Sequence, residues 1–258
     1  MKFLEWNIHG MGGYGNYSIP CFVADQIILK NVDIAVLVEF FTGCNWNYIR
    51  GILEKKYILI VSPYIEGYNQ VLIALKKEIF EIKNVITLNP IDKNKPEFLQ
   101  VSTDVNGKSL EVIGTRLKTV SGTKNEQLRF LKNYFDKLNN FICLGDFNGN
   151  VNFLQKELGK NCIYSPRVVP KGNNEILRWS YIHKNKTRIN VDHIISNVNI
   201  LRNISDSLSE KEGYKMYAKY DWGFVNKNNG YGKLNSESHL SHLIGLPDHA
   251  ILLGEFEI

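Results

Sequence analysis

The chain contains no apolar run near the roughly 20 residues that a membrane-spanning helix requires. Its opening, Lys2–Ile8, reads as a strand, where a secretory leader would place a charged start and a cleavage site. A soluble, unprocessed chain is expected. Cysteine is scarce: Cys21, Cys44, Cys143 and Cys162 stand far apart, and Cys143 sits inside an apolar run, where a packed thiol is the ordinary reading. A reducing, cytoplasmic setting follows as the expectation. There is no Cys-x-x-Cys or His-x-x-x-His spacing, so a tetrahedral zinc site is not indicated. Repeats, low-complexity tracts and linkers rich in Pro, Gly and Ser are also missing, and one domain over residues 1–258 is expected. Charge of one sign does not dominate. A formal net charge of +5 permits a polyanionic partner without requiring one.

What the chain does have is 44% apolar and 12% aromatic residues, enough to bury a substantial core. Apolar runs and alternations predict strands at 2–8, 34–38, 57–62, 70–76, 98–105, 109–115, 141–145, 178–182, 189–195 and 249–257. Asn106-Gly107 predicts a tight hairpin, and Lys184-Asn185-Lys186 a second one. Thr123-Lys-Asn-Glu126 has capping-box spacing, ahead of a face made by Leu128, Leu131, Tyr134, Phe135 and Leu138. About 40 residues between Ser207 and Leu246 show weak periodicity and exceed an ordinary connection, which suggests a binding loop.

The most informative stretch is Phe141-Ile142-Cys143-Leu144-Gly145-Asp146-Phe147-Asn148, a buried strand that ends in a carboxylate and a carboxamide two positions apart. In an extended chain these two share a face while Phe147 packs inward. A second polar pair, Asp248-His249, follows Pro247 and precedes Ala250-Ile251-Leu252-Leu253. Together they point to metal-assisted or base-assisted hydrolysis. A rival motif, Gly10-Met-Gly12-Gly13-Tyr-Gly15 with Glu39 downstream, matches a dinucleotide-binding fingerprint. That fingerprint needs its third glycine at a helix start, whereas Asn16–Pro20 intervene here, and Trp6, Asn7 and His9 stand where small or apolar residues belong.

Trp6-Asn7, Glu39 after Ile34–Val38, Gly145-Asp146-Phe147-Asn148, Val191-Asp192-His193-Ile194-Ile195 and Pro247-Asp248-His249 occur in the order found in the endonuclease/exonuclease/phosphatase superfamily, which the chain resembles over almost its whole length. Members of that superfamily include pancreatic-type deoxyribonucleases, exonuclease III-like abasic-site endonucleases, neutral sphingomyelinases and inositol polyphosphate 5-phosphatases. The resemblance implies phosphoester hydrolysis on a four-layer α/β sandwich, with two mainly antiparallel sheets face to face and helices outside. It also implies that Asp146 polarises the attacking water, Asn148 holds that water or a phosphate oxygen, and His249 meets the scissile phosphate as base or as donor.

The residue types suit this chemistry in their own right. A phosphodiester needs a hard cation, an aligned water and donors for the charge that grows on its oxygens. Glu39 is the first choice as ligand for Mg²⁺ or Mn²⁺, Asp248 could add a ligand or a second metal position, and Asn7 would orient Glu39 or the phosphate. Asp192, on the strand neighbouring His249, would fix the His249 tautomer and favour the imidazolium. Taken singly, each has a blander reading: Asp146 as a turn cap, Glu39 as a solvated strand end, Asn7 as a backbone cap and His249 as a core histidine.

Two departures bear on substrate. Arg116 stands where relatives commonly carry His or Tyr near the phosphate; it cannot act as a base but can clamp an anion, or serve as a surface ion-pair partner. Phe40-Phe41-Thr42 follows Glu39, where abasic-site endonucleases usually carry Thr-Lys. Arg178-Trp179-Ser180-Tyr181 resembles the aromatic strand of the exonuclease III branch, with Trp179 as core the alternative. The long insertion interleaves Lys211, Lys215, Lys219, Lys227 and Lys233 with Tyr214, Tyr217, Tyr220, Trp222 and Tyr231, as a nucleic-acid groove or an aromatic-pinned loop would. Three readings are carried forward: a metal-dependent nuclease on DNA or RNA, a phosphatase or phosphodiesterase on a nucleotide, inositol phosphate or phospholipid, and a nucleotide-binding module without hydrolysis.

Overall fold

A computed structural model of the chain describes residues 1–10, 19–87, 95–159, 163–164, 179–182, 188–201, 218–222, 224 and 247–258. Gly12, Gly13, Gly15, Cys162, Arg178, the Lys184–Lys186 turn and most of the 207–246 insertion lie outside the described residues.

The first half of the chain runs β1 (Lys2–Asn7), α1 (Phe22–Lys30), β2 (Ile34–Phe40), α2 (Trp46–Leu53), β3 (Tyr57–Val61), β4 (Gln70–Lys76), β5 (Glu81–Ile86), β6 (Phe98–Val105) and β7 (Lys108–Arg116). Next come α3 (Ser121–Phe135), β8 (Phe141–Asp146), α4 (Val151–Leu158), β9 (Ile163–Tyr164), β10 (Tyr181–Ile182), β11 (Arg188–Ile189) and β12 (Asp192–Ser196). The last strands are β13 (Asn199–Leu201), β14 (Ala218–Asp221) and β15 (Ile251–Glu257).

One large sheet has the order β13-β15-β1-β2-β4-β3, with β14 also on β15; the other has the order β5-β6-β7-β8-β12-β9, and β10 and β11 pair as a separate two-stranded ribbon. Only β1 with β2 and β7 with β8 pair in parallel among these strands. A parallel pair needs a crossover, supplied by α1 in one case and α3 in the other. All seven residues of β2 are buried, the mark of a strand covered on both faces. One core lies against this sheet, from Phe3 and Val36 out to Val23, Ile27 and Leu53 on α1 and α2. A second core joins Leu128, Leu131 and Phe135 of α3 and Leu154 of α4 to Ile113, Phe141 and Cys143 of the other sheet. The layers are therefore helices, sheet, sheet, helices. The sheets approach closely at Gly114, where a Cβ would sit 2.6 Å from Val71 Cγ1 and 2.7 Å from Val36 Cγ1. Among the described residues no helix is long and apolar enough to cross a membrane.

The Asn106-Gly107 hairpin forms as expected, with φ of 52° and 77°. Other expectations need correction. The third helix starts at Ser121 with Val120 as N-cap and no side-chain cap, so Thr123 is inside it; Lys118 N donating to Gln127 Oε1 (3.0 Å) ties the entry instead. The run 189–195 breaks at Asn190 into strands of different sheets. The edge strand β5 was missed because its exposed Glu81, Lys83 and Asn84 hide the alternation. Tyr220 and Trp222 are not a stacking surface. Both are buried, the Tyr220 hydroxyl donating to Asp192 O (2.9 Å) and Trp222 Nε1 to Trp179 O (2.9 Å).

Candidate active site

Strand register builds the site. Arg116 on β7 lies opposite Asp146 on β8, and Asp146 lies opposite Asp192 on β12, so one row across the second sheet carries a guanidinium and two carboxylates. From the first sheet come Asn7 at the end of β1, Glu39 near the end of β2, and Asp248 and His249 just before β15.

Glu39 reaches this row through an irregularity. The β2 register slips between Leu37 and Phe40, and Glu39 takes a left-handed φ of 50°, which re-aims its side chain. Gly10 N donates to Glu39 O at 2.7 Å, and a Cβ on Gly10 would lie 2.4 Å from that oxygen, so this approach requires glycine. The Glu39 carboxylate is surrounded. Asn7 Nδ2 donates to Oε1 at 3.0 Å and Arg116 Nε stands 2.6 Å from the same atom, while His9 Nδ1 and Asn69 Nδ2 each lie 3.4 Å from Oε2. Burial opposes ionisation here, yet the His9 hydrogen bond and the Arg116 charge outweigh it and hold Glu39 well below the usual carboxylate range. It is not a solvated strand end.

Asn7 Nδ2 also donates to Asp146 Oδ2 (3.1 Å), linking the two sheets, and Asn7 Oδ1 accepts from His9 N (3.0 Å). Asp146 and Asn148 do meet, but not by strand alternation. The strand ends at Asp146 and Asn148 turns back with φ of 48°; its backbone N donates to Asp146 Oδ1 (2.9 Å) and its Nδ2 to Oδ2 (3.1 Å). The turn-cap reading and the site reading thus describe the same atoms. Burial and the neighbouring Asp192 charge push Asp146 up to about 7, against the pull of His249 and Arg116.

His249 Nδ1 lies 2.8 Å and 3.1 Å from the Asp192 oxygens, and the Tyr181 ring packs on the imidazole at 4.6 Å. Asp192 was expected on a strand beside His249; instead the pair joins opposite sheets, because β12 pairs with β8 and β9. Burial disfavours the imidazolium, but the Asp192 charge and hydrogen bond overcome it and raise His249 to about 10. Asp248 Oδ1 is buried without a hydrogen-bond partner, 3.8 Å from His9 Nδ1 and 4.0 Å from His249 Nε2.

All eight expected residues converge: Asn7, Glu39, Arg116, Asp146, Asn148, Asp192, Asp248 and His249. Four others were missed. Glu5, two positions before Asn7 on the same face of β1, is fully buried with neither carboxylate oxygen hydrogen-bonded, and period-2 alternation could have found it. His9, Asn69 and Glu97 lie in connections, and no pattern in the sequence marks them.

Ligand atoms of Asp146, Asp192 and His249 lie within 4.8 Å of one another. With the hard oxygens of Glu39 and the unpartnered Asp248 Oδ1 beside them, this donor set fits a divalent cation that prefers oxygen.

No family profile and no curated protein matches this sequence. Solved structures do match by shape. The endonuclease/exonuclease/phosphatase from Bacteroides vulgatus is 11% identical, with TM-score 0.66, covering 100% of this chain and 98% of that one. TDP2 from D. rerio, complexed with single-strand DNA product, is 14% identical, with TM-score 0.62 and coverage of 100% and 99%. The human nocturnin catalytic domain, with bound sulfate anion, is 15% identical, with TM-score 0.62 and coverage of 100% and 93%. Likeness in shape to these structures gives this chain the endonuclease/exonuclease/phosphatase fold.

Proposed function

We propose that this protein is a divalent-metal-dependent phosphodiester hydrolase, and specifically a nuclease acting on DNA or RNA. The observation that carries this reading is the Asp192–His249 pair spanning the two sheets, with Asp146 and Asn148 on the Asp192 side and Glu39 joined to Asp146 through Asn7. Glu39 and Asp248 would hold Mg²⁺ or Mn²⁺, which when bound neutralises phosphate charge. Asp146, poised near neutrality, accepts the proton of the attacking water, and Asn148 orients that water or a phosphate oxygen. His249, its Nδ1 taken by Asp192, presents Nε2 to the phosphate. With its pKa raised to about 10 it would serve as a cationic donor to the charge growing there. Arg116 adds a second cationic donor. Single-strand DNA product in the D. rerio protein and sulfate in nocturnin support a polyanionic substrate. Three free thiols among the described residues fit a cytoplasmic setting.

The test is a panel of plasmid, single-stranded DNA, RNA and a small phosphodiester, each with Mg²⁺, Mn²⁺ or chelator. Cleavage of nucleic acid that is lost on chelation and weakens steeply with salt is expected. Turnover of the small ester alone, indifferent to salt, would instead make it a small-phosphoester enzyme. Binding of nucleotide with no hydrolysis would revive the glycine-loop reading.

A further inference from the structure

The contacts of Arg116 do not resemble a clamp waiting for phosphate. Its guanidinium lies among three carboxylates: Glu39 Oε1 at 2.6 Å from Nε, Asp146 Oδ2 at 3.8 Å from Nε, and Glu97 Oε1 at 3.1 Å from Nη1. These contacts differ in kind. The one to Glu97 is a directional hydrogen bond, whereas Nε is buried and makes none, so its approach to Glu39 is a charge contact without alignment. The backbone repeats the preference, since Arg116 N donates to Glu97 O at 3.1 Å. Glu97 is the anchor and Glu39 the exchangeable partner.

Both oxygens of Glu39 are already attended, by Asn7 and Arg116 on one and His9 and Asn69 on the other. An incoming cation must displace a donor. Asn7 and Asn69 are neutral and can turn, but a guanidinium 2.6 Å from the same oxygen would meet the cation as a like charge in a site with little water to screen it.

We propose that Arg116 is the resident counter-ion of the Glu39 carboxylate, displaced when a divalent cation binds and held afterwards by Glu97. This rests on reading Glu39 as a cation ligand. It makes the arginine free to meet a phosphate only once the cation is in place, so cation and substrate reinforce each other's binding.

Calorimetric titration of Mn²⁺ and Mg²⁺ into wild type, Arg116→Met and Glu97→Gln tests this without reference to activity. Arg116→Met should bind Mn²⁺ roughly tenfold tighter or more, since a competing charge is gone. Glu97→Gln should bind more weakly, because the guanidinium is then left to Glu39 and Asp146, the carboxylates nearest the incoming cation. A purely structural role for Arg116 would move both variants in one direction. Equal or weaker binding by Arg116→Met, or weakening in both, overturns the proposal. If Arg116→Met folds poorly without cation, its melting midpoint against Mn²⁺ concentration reads the same affinity. Should wild type bind neither cation, the metal-dependent reading of the site fails too; should it bind and Arg116→Met not tighten, only the counter-ion role fails.

Discussion

The upward shift of His249 comes chiefly from one neighbour, with Asp248 and Asp146 adding to it. Asp192, 2.8 Å from Nδ1, is the main source of the upward shift to about 10, so Asp192→Asn should lower the imidazole titration midpoint and cost on the order of a hundredfold in kcat. Histidine proton NMR against pH in metal-free protein reads the midpoint. Because the folded pKa lies above the ordinary 6.5, the pair stabilises the fold below that pH and loses this contribution as pH rises towards 10. Glu5 shows the opposite economy. Burial first, and then the Asp192 charge, raise its pKa well above that of an ordinary glutamate, so folding is penalised as pH climbs above 4.5. Glu5→Gln should stabilise by about 1–3 kcal/mol at pH 8 and very little at pH 4. Urea unfolding at the two pH values checks this, and a pH-independent difference would show that Glu5 carries no proton linkage. Glu5 also marks a limit of reading sequence: the strand pattern was legible, but an acidic letter in an apolar strand is easily assigned to the solvent side.

Elements explain which parts of the site could be foreseen. Asn7, Asp146 and Arg116 sit where strands stop, and apolar runs show where strands stop. Their pairing partners are invisible in a single sequence, so Asp192 could be named but not assigned to the sheet opposite His249. His9, Asn69 and Glu97 depend on how connections cross, which no periodicity records, and the slip in β2 that turns Glu39 inward leaves no mark either. Gly114 tests the spacing between sheets. Its missing side chain faces the stiff branched side chains of Val71 and Val36, so Gly114→Ala should cost about 1–3 kcal/mol in chemical denaturation. A neutral result would mean that the sheets are not held at this distance.

The molecule as a whole gathers like charges from two sheets at one mouth, bridged by Asn7 between Glu39 and Asp146 and by Asp192 with His249. A cation that binds only this assembled mouth should raise the melting temperature, with about 2.7 kcal/mol of stabilisation at a hundred times its Kd. Differential scanning calorimetry with Mn²⁺ and then with chelator measures it, and Glu39→Gln should abolish most of the gain. An unchanged melting temperature in wild type would mean that the mouth holds no cation.

The antiparallel partner of β1 is β15, with Leu4 opposite Leu253. The opening strand therefore waits for that neighbour until residues 251–257 have been synthesised, a delay on the order of ten to fifty seconds at ordinary translation speed. A nascent chain stalled short of His249 therefore carries the acidic half of this mouth without its imidazole.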